Sequence, residues 1–435
     1  MALAGLTRAA EPQKAFPFAY DLHDFPNGLR LITVPTDFPN VVALYIVVQT
    51  GSRNEVEAGK SGFAHLFEHM MFRGTKAYPP ARWEAVMKEA GAATNAYTSD
   101  DHTAYHATFS KEDLPLILEM EADRLQNLEY APDALKTESL AVLGEYNKSS
   151  ADPELKIHET LRETAFERHT YRHTTLGYLA DIENMPNQYA YSRQFFDRYY
   201  RPEYTTILVV GDVVAADVLR QVGKHWSGWK RGSFRPEIPA EPAPTGARRR
   251  QLEWPSPTLP WVWVAHRTPA YTDTARDSAA LDILSFLGFS ESSPLYKKLV
   301  LEDQTVDLLA VDAPDHVDPY LFTVTARVKE PKDMAAVEEQ ILSTLKGFHD
   351  TPVAADRLEA VKRHLRYSFA LGLDNSEAIA EALARYVALR RTPETINRIY
   401  ELYSQVTAED VRDVARRFLV ETGRTIVTLT AGGAR

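Results

Sequence analysis

Four prolines in one short stretch divide this chain. Residues 231–251 read RGSFRPEIPAEPAPTGARRRQ, with Pro236, Pro239, Pro242 and Pro244 spaced too closely for a helix. Each proline ring fixes φ and removes a backbone donor, so the stretch suits an extended connector. It predicts an N-terminal domain over 1–230, a strap over 231–251 and a C-terminal domain over 252–435. A chain of 435 residues is also longer than one ordinary core supports.

The two halves carry the same order of signals. Each opens on strand-like runs, GLRLITV and NVVALYIVVQT in the first, RRRQLEW and LPWVWVAHRT in the second. Each then enters an apolar helix, SGFAHLFEHMMF against DSAALDILSFLGF. Each closes with a helix and a final strand, RQFFDRYYRPEYTTILVVGDV against VRDVARRFLVETGRTIVTLTAGG. This is a weak internal repeat, carried by pattern rather than identity. Between those ends, PPARWEAVMKEAG, KEDLPLILEMEADRLQNL and APDALKTESLAVLGEYNKSS have apolar residues at helical spacing. TNAYTSDDHTAYHATF alternates and turns at Ser99–Asp101, as a hairpin does. Strands followed by runs of helices, twice over, predict an α+β fold in which each domain is an antiparallel-rich sheet covered by helices.

Composition removes several functions. A net charge of −11 without any basic, aromatic-interleaved cluster makes nucleic acid an unexpected partner. The chain has no cysteine, so a metal site would have to use His, Asp or Glu. No run of about 18 apolar residues exists, and no membrane span is expected. The opening MALAGLTRAAEPQKAF has too short an apolar stretch for a signal peptide. The compartment, cytoplasm or periplasm, stays open.

The chemistry concentrates in residues 61–75, SGFAHLFEHMMFRGT. On a helix, His65, Glu68 and His69 fall within roughly 100° of arc, and the two imidazoles stand one turn apart. Two neutral imidazoles could share a zinc ion while Glu68 serves as base, provided a third ligand arrives from elsewhere. Taken alone, the same triplet is also compatible with a polar spot on a core helix. A phosphate-loop reading of EAGKSG fails, because Asn54 stands where the first glycine of that motif belongs.

The wider run GSRNEVEAGKSGFAHLFEHMMFRGT resembles the inverted zinc motif, H-x-x-E-H, of the pitrilysin-like or insulinase-type (M16) metallopeptidases. The resemblance continues through GAATNAYTSDDHTAYH and YYRPEYTTILVVGDV, and covers the second half only in outline. It implies a zinc endopeptidase with one Zn2+ per chain, built as two α/β-roll domains of one half of a clam-like chamber. It further implies Glu145, in KTESLAVLGEYNK, as the third ligand beside His65 and His69, with Glu68 as catalytic base. Glu138, seven residues earlier, would hold a ligand imidazole. Asn95 and Ala96 would bind the peptide backbone at a sheet edge. His102, His106, His169 and His173 read as surface or packing residues, and the tyrosines of RQFFDRYYRPEY as core.

One part of the family pattern is missing. Full-length members carry an Arg and, seven residues later, a Tyr that stabilise the oxyanion. Here Val300 and Asp307 stand at those positions, and no arginine lies between Arg276 and Arg327. This resembles the two-subunit branch of the family, so the chain is read as a zinc-bearing subunit whose sister subunit supplies the Arg/Tyr pair in a heterodimer. The alternatives are a homodimeric processing peptidase and a non-catalytic structural or peptide-binding subunit.

Overall fold

The structure, a computed structural model, describes residues 14–432. Nearly all of the stretch read for a signal peptide, up to Gln13, lies outside the described residues. The eleven described strands form two sheets. The first contains β1 (Asp21–Asp24), β2 (Arg30–Pro35), β3 (Val41–Val48), β4 (Ala93–Thr98), β5 (Thr103–Ser110) and β6 (Thr205–Gly211). The second contains β7 (Arg248–Trp254), β8 (Trp261–Arg267), β9 (Val306–Asp312), β10 (Leu321–Val328) and β11 (Arg424–Ala431). Their orders are β1-β2-β6-β3-β5-β4 and β7-β11-β8-β10-β9. With β1 set aside the two orders correspond strand for strand. Each sheet has a single parallel pair, β2 with β6 and β7 with β11, and is otherwise antiparallel. The fold is thus α+β, and the weak repeat in the sequence has the same topology twice.

Five helices matter below: α1 (Phe63–Met70), α2 (Pro132–Ser149), α3 (Pro153–Ala165), α4 (Asp277–Phe289) and α5 (Ser376–Arg390). Residues 231–247 of the proline-rich stretch carry no helix or strand, and its last four residues begin β7.

The halves cover one another. In β3 and β6 nearly every residue is buried, because both faces of the sheet are packed. That explains why VVALYIVV and TTILVVG are continuous apolar runs rather than alternating ones. One face of the first sheet carries Leu44, Ile46, Ile207 and Val209 against Phe63, Phe67 and Phe195 of its own half. The other presents Tyr45, Val47, Leu208 and Val210 to a core that includes Ile379, Leu383 and Val387 of α5, from the opposite half. Reciprocally, Ile157 and Leu161 of α3 pack with Trp261, Ala265, Val427 and Leu429 of the second sheet. Arg391, which ends α5 at φ +54°, donates to the backbone carbonyls of Gly28, Glu203 and Thr205 and to the Thr206 hydroxyl. No helix among the described residues is long and apolar enough to cross a membrane.

Candidate metal centre and peptide-docking edge

α1 is short because glycines fix where it starts and where the chain turns away. Gly62 precedes it at φ +86°, and a side chain there would meet the Leu176 carbonyl at 2.6 Å. Opposite, Gly177 at φ +85° lets its backbone approach that of Ser61 and Gly62. Asp181 accepts from the Ser61 amide (3.1 Å) and hydroxyl (2.6 Å), pinning the entry to the helix. Phe63, Ala64, Leu66, Phe67 and Met70 face the core. His65, Glu68 and His69 are left half-buried on the opposite side.

α2 supplies the remaining carboxylates. It starts on Pro132 with Asp133 in its first turn, which suits a helix N-terminus. Glu138 and Glu145, two turns apart, both face α1. Glu145 Oε2 lies 3.4 Å from His65 Nε2 and 3.5 Å from His69 Nε2. The three ligand atoms lie within 4.8 Å of one another, the one such group found among the described residues. Two ligands of a tetrahedral zinc, each about 2.0–2.1 Å from the ion, stand about 3.4 Å apart. Those two spacings therefore fit zinc, and so does a donor set of two imidazoles and a carboxylate. Burial, followed by the charge of His69, lowers the pKa of His65 to about 4, so this imidazole is in the neutral form a metal needs. Its Nδ1 is buried with no partner among the described residues.

Around this centre the other predicted residues take distinct places. Glu138, only 8% exposed, puts Oε2 3.3 Å from His69 Nδ1, while its other oxygen pairs with Arg73. Glu68 sits between α1 and the first sheet, where the Thr98 hydroxyl donates to its Oε2 at 2.7 Å. Burial raises its pKa, against the lowering effect of the Thr98 hydrogen bond and the His69 charge. A carboxyl so placed is a better proton acceptor than one in water.

Asn95 and Ala96 lie on β4, which pairs with β5 on one side only and forms the edge of the first sheet. Asn95 is exposed; Ala96 is 7% exposed and packs toward the core beside α1. The free edge can accept an added strand. The remaining histidines stand apart from the centre. His102 bonds Ser99, His106 stacks on Tyr45, His169 pairs with Asp318, and His173 bonds the Thr174 carbonyl. Phe195, Phe196, Tyr199 and Tyr200 are core.

Arg73 and Thr98 were not singled out from the sequence. Thr98 was within reach, because strand alternation puts it on the same face as Ala96 and opposite Asn95. Arg73 stands four residues after His69, which puts it on the same side of a continuing helix, but it reaches Glu138 from a 3-10 turn after α1.

Known proteins resemble the chain over both halves. The family model described as Insulinase (Peptidase family M16) matches residues 31–178, and that described as Peptidase M16 inactive domain matches residues 188–365. The chain is 28% identical to the zinc protease PqqE of Helicobacter pylori, over 93% of this chain and 91% of that protein. It is 23% identical to the mitochondrial-processing peptidase subunit beta of Blastocladiella emersonii, over 93% of this chain and 87% of the relative. The solved structure of a protease from Helicobacter pylori superposes with a TM-score of 0.89 at 26% identity, covering 95% of this chain and 99% of that one.

Proposed function

Because the chain belongs to the insulinase family of peptidases, M16, we propose that it is a zinc-dependent endopeptidase of peptides and unfolded segments. One zinc ion per chain would be held by His65, His69 and Glu145. The observation that carries this reading is the convergence of both imidazole Nε2 atoms on one carboxylate oxygen at 3.4 and 3.5 Å. The bound ion would supply Lewis acidity toward a water and the peptide carbonyl.

The chain's own residues do the rest. A peptide adds as a strand to the free edge of β4, where Asn95 and Ala96 hold its backbone near α1. Thr98 orients the Glu68 carboxylate. Glu68 takes the proton of the attacking water and passes it to the leaving amine nitrogen. Glu138, held by Arg73, accepts a hydrogen bond from His69 Nδ1–H, which keeps the proton on Nδ1 and leaves Nε2 free for the metal.

The oxyanion arm comes from a sister chain in this reading. Asp307, at the position of the family's tyrosine, is engaged by Arg327 at 2.9 and 3.0 Å. Val300 packs against the core of its own half. Losing one oxyanion donor costs about 100- to 1000-fold in turnover, so a chain with an intact metal centre has reason to borrow the arm. A relative named as a peptidase subunit supports the pairing. Two chains would then enclose the substrate in a chamber, with the zinc on one wall and the Arg/Tyr pair on the other.

Zinc content and cleavage of a quenched fluorescent peptide library, with the chain alone and mixed with a candidate sister chain, test both levels. One zinc per chain, little turnover alone and a large gain on mixing are expected. Full turnover alone would end the sister-chain reading, and absence of zinc would end the peptidase reading.

A further inference from the structure

We infer that Glu55 is a positioning residue which, with Ser52 and Arg53 just before it, holds the metal-bearing helix and the peptide-docking strand in one fixed register. The inference rests on the proposed function for what is being positioned, and on geometry for the rest.

Glu55 is 4% exposed, yet no arginine or lysine pairs with it among the described residues. Its nearest basic group is His173 Nδ1 at 3.7 Å, an atom already 3.0 Å from the Thr174 carbonyl. What the carboxylate does instead is accept two backbone N–H groups at the start of α1, from Gly62 at 2.8 Å and from Ala64 at 2.7 Å. The first N–H groups of a helix have no carbonyl within the helix to bond, so a buried carboxyl that accepts two of them supplies partners they would otherwise lack. The choice of side chain follows. Two donors converge on two oxygens, whereas an amide offers one acceptor and turns its NH2 against the other donor.

Residues 51–55, which end on Glu55, also grip the far end of β4. The Arg53 amide donates to the Asp100 carbonyl at 2.8 Å, and the Ser52 hydroxyl to Asp100 Oδ1 at 2.7 Å. Asp100 stands two residues beyond Thr98, the last residue of β4 and the partner of Glu68. Residues 51–55 therefore clasp the end of the docking strand with one hand and the start of the ligand helix with the other. α1 has only eight residues, so a small slip at its start would carry His65, Glu68 and His69 out of line with both Glu145 and a peptide lying on β4. Groups bonded directly to a metal ligand are worth about 10- to 100-fold in metal affinity, and Glu55, which acts on the ligands through the α1 backbone, takes the lower end of that range.

The test uses Glu55→Gln, with Arg391→Ala as a control that loosens the junction of the two halves through bonds to Gly28, Glu203, Thr205 and Thr206, none of them on α1 or α2. Three quantities are read: hydrogen exchange in the metal-free protein, zinc affinity by chelator competition, and the separate kcat and KM for a peptide. For Glu55→Gln, amides 62–70 should exchange at least about 10-fold faster while β2, β3 and β6 keep their protection. Zinc should bind about 10-fold more weakly, and kcat should fall with KM little changed. The control should melt earlier and keep its zinc affinity. A Glu55→Gln protein with wild-type zinc affinity and kcat would overturn the assignment: faster exchange over 62–70 would then leave Glu55 an ordinary helix cap, and wild-type exchange would leave it without a hold on α1. Should that variant not fold, Ser52→Ala carries the test through the other grip: faster exchange at 98–101 with lowered kcat supports the brace, and wild-type values for both reject it. The exchange reading needs neither zinc nor cleavage, so a wild-type chain without zinc would sink the proposed function and leave this result standing.

Discussion

The two halves share a strand order and differ in what their first long apolar helix is for. In the second half α4 runs thirteen residues, ten of them buried, and most of those ten are alanine, leucine and isoleucine. In the first half α1 is cut to eight residues, five buried, and its other side carries two imidazoles and a carboxylate. The edge strands differ in the same sense. β4 ends where Thr98 meets Glu68, whereas β9 carries Asp307 tied to Arg327 on β10. One topology thus carries a candidate metal centre in one place and packing in another. The separating feature is local: whether the helix has a polar face, and whether a second helix brings carboxylates to it.

That contrast can be broken hardest at the ligands. His65→Ala and Glu145→Ala should each lose stoichiometric zinc, measured by elemental analysis, and all peptide cleavage with it. A variant that still held one zinc would remove that residue from the centre. Next in size is the base. Glu68→Gln should keep zinc and lose about 10²- to 10⁴-fold in kcat; comparable turnover by the variant would show that another group moves the proton. Glu138→Gln sharpens the role of the supporting carboxylate. It should weaken zinc about 10- to 100-fold while leaving the ligand count intact, as read by competition with a chelator.

The junction between the halves should respond differently, through stability and not through metal. Arg391→Ala removes one guanidinium from three backbone carbonyls and a hydroxyl. A cost of about 2–4 kcal/mol is expected from the groups left unpaired, read from urea unfolding with zinc stoichiometry unchanged. The smallest effect concerns acid. Burial pushes the Asp318 carboxyl up, but hydrogen bonds from His169 and Arg53 outweigh it and hold the pKa at about 2, below the ordinary 3.8. Its contribution is therefore present above about pH 4 and is lost as pH falls through about 2. Asp318→Asn should flatten that part of the stability–pH curve. An unchanged slope would assign the acid sensitivity of the junction to other carboxylates.

Much of this was readable before any coordinates. The polar triplet at helical spacing placed His65, Glu68 and His69 on one side of α1, because the helical period fixes that irrespective of context. The same rule placed Glu138 and Glu145 on one face of α2. Alternation and the Ser99–Asp101 turn gave the β4–β5 hairpin, now seen with Asn95 opposite His106. The α+β class followed from the order of strands and helices, and the repeat from the matching order in each half. These are short-range properties, set by backbone geometry over a few residues.

What the sequence could not say is which surfaces meet. Nothing in ALARYVALR announces that α5 lies on the first sheet, nor does α3 declare that it covers the second. An apolar stripe states that a helix must be buried, not against what. The approach of Glu145 to both imidazoles spans about 75 residues of chain and depends on how α1 and α2 pack. Arg73 on Glu138, Thr98 on Glu68 and Glu55 at the start of α1 are of the same kind. By itself the sequence determined the helices, the strands and the chemical types at the centre, since local periodicity decides those. The tertiary structure alone decided their distances and supports, since those depend on contacts between segments that no local period encodes.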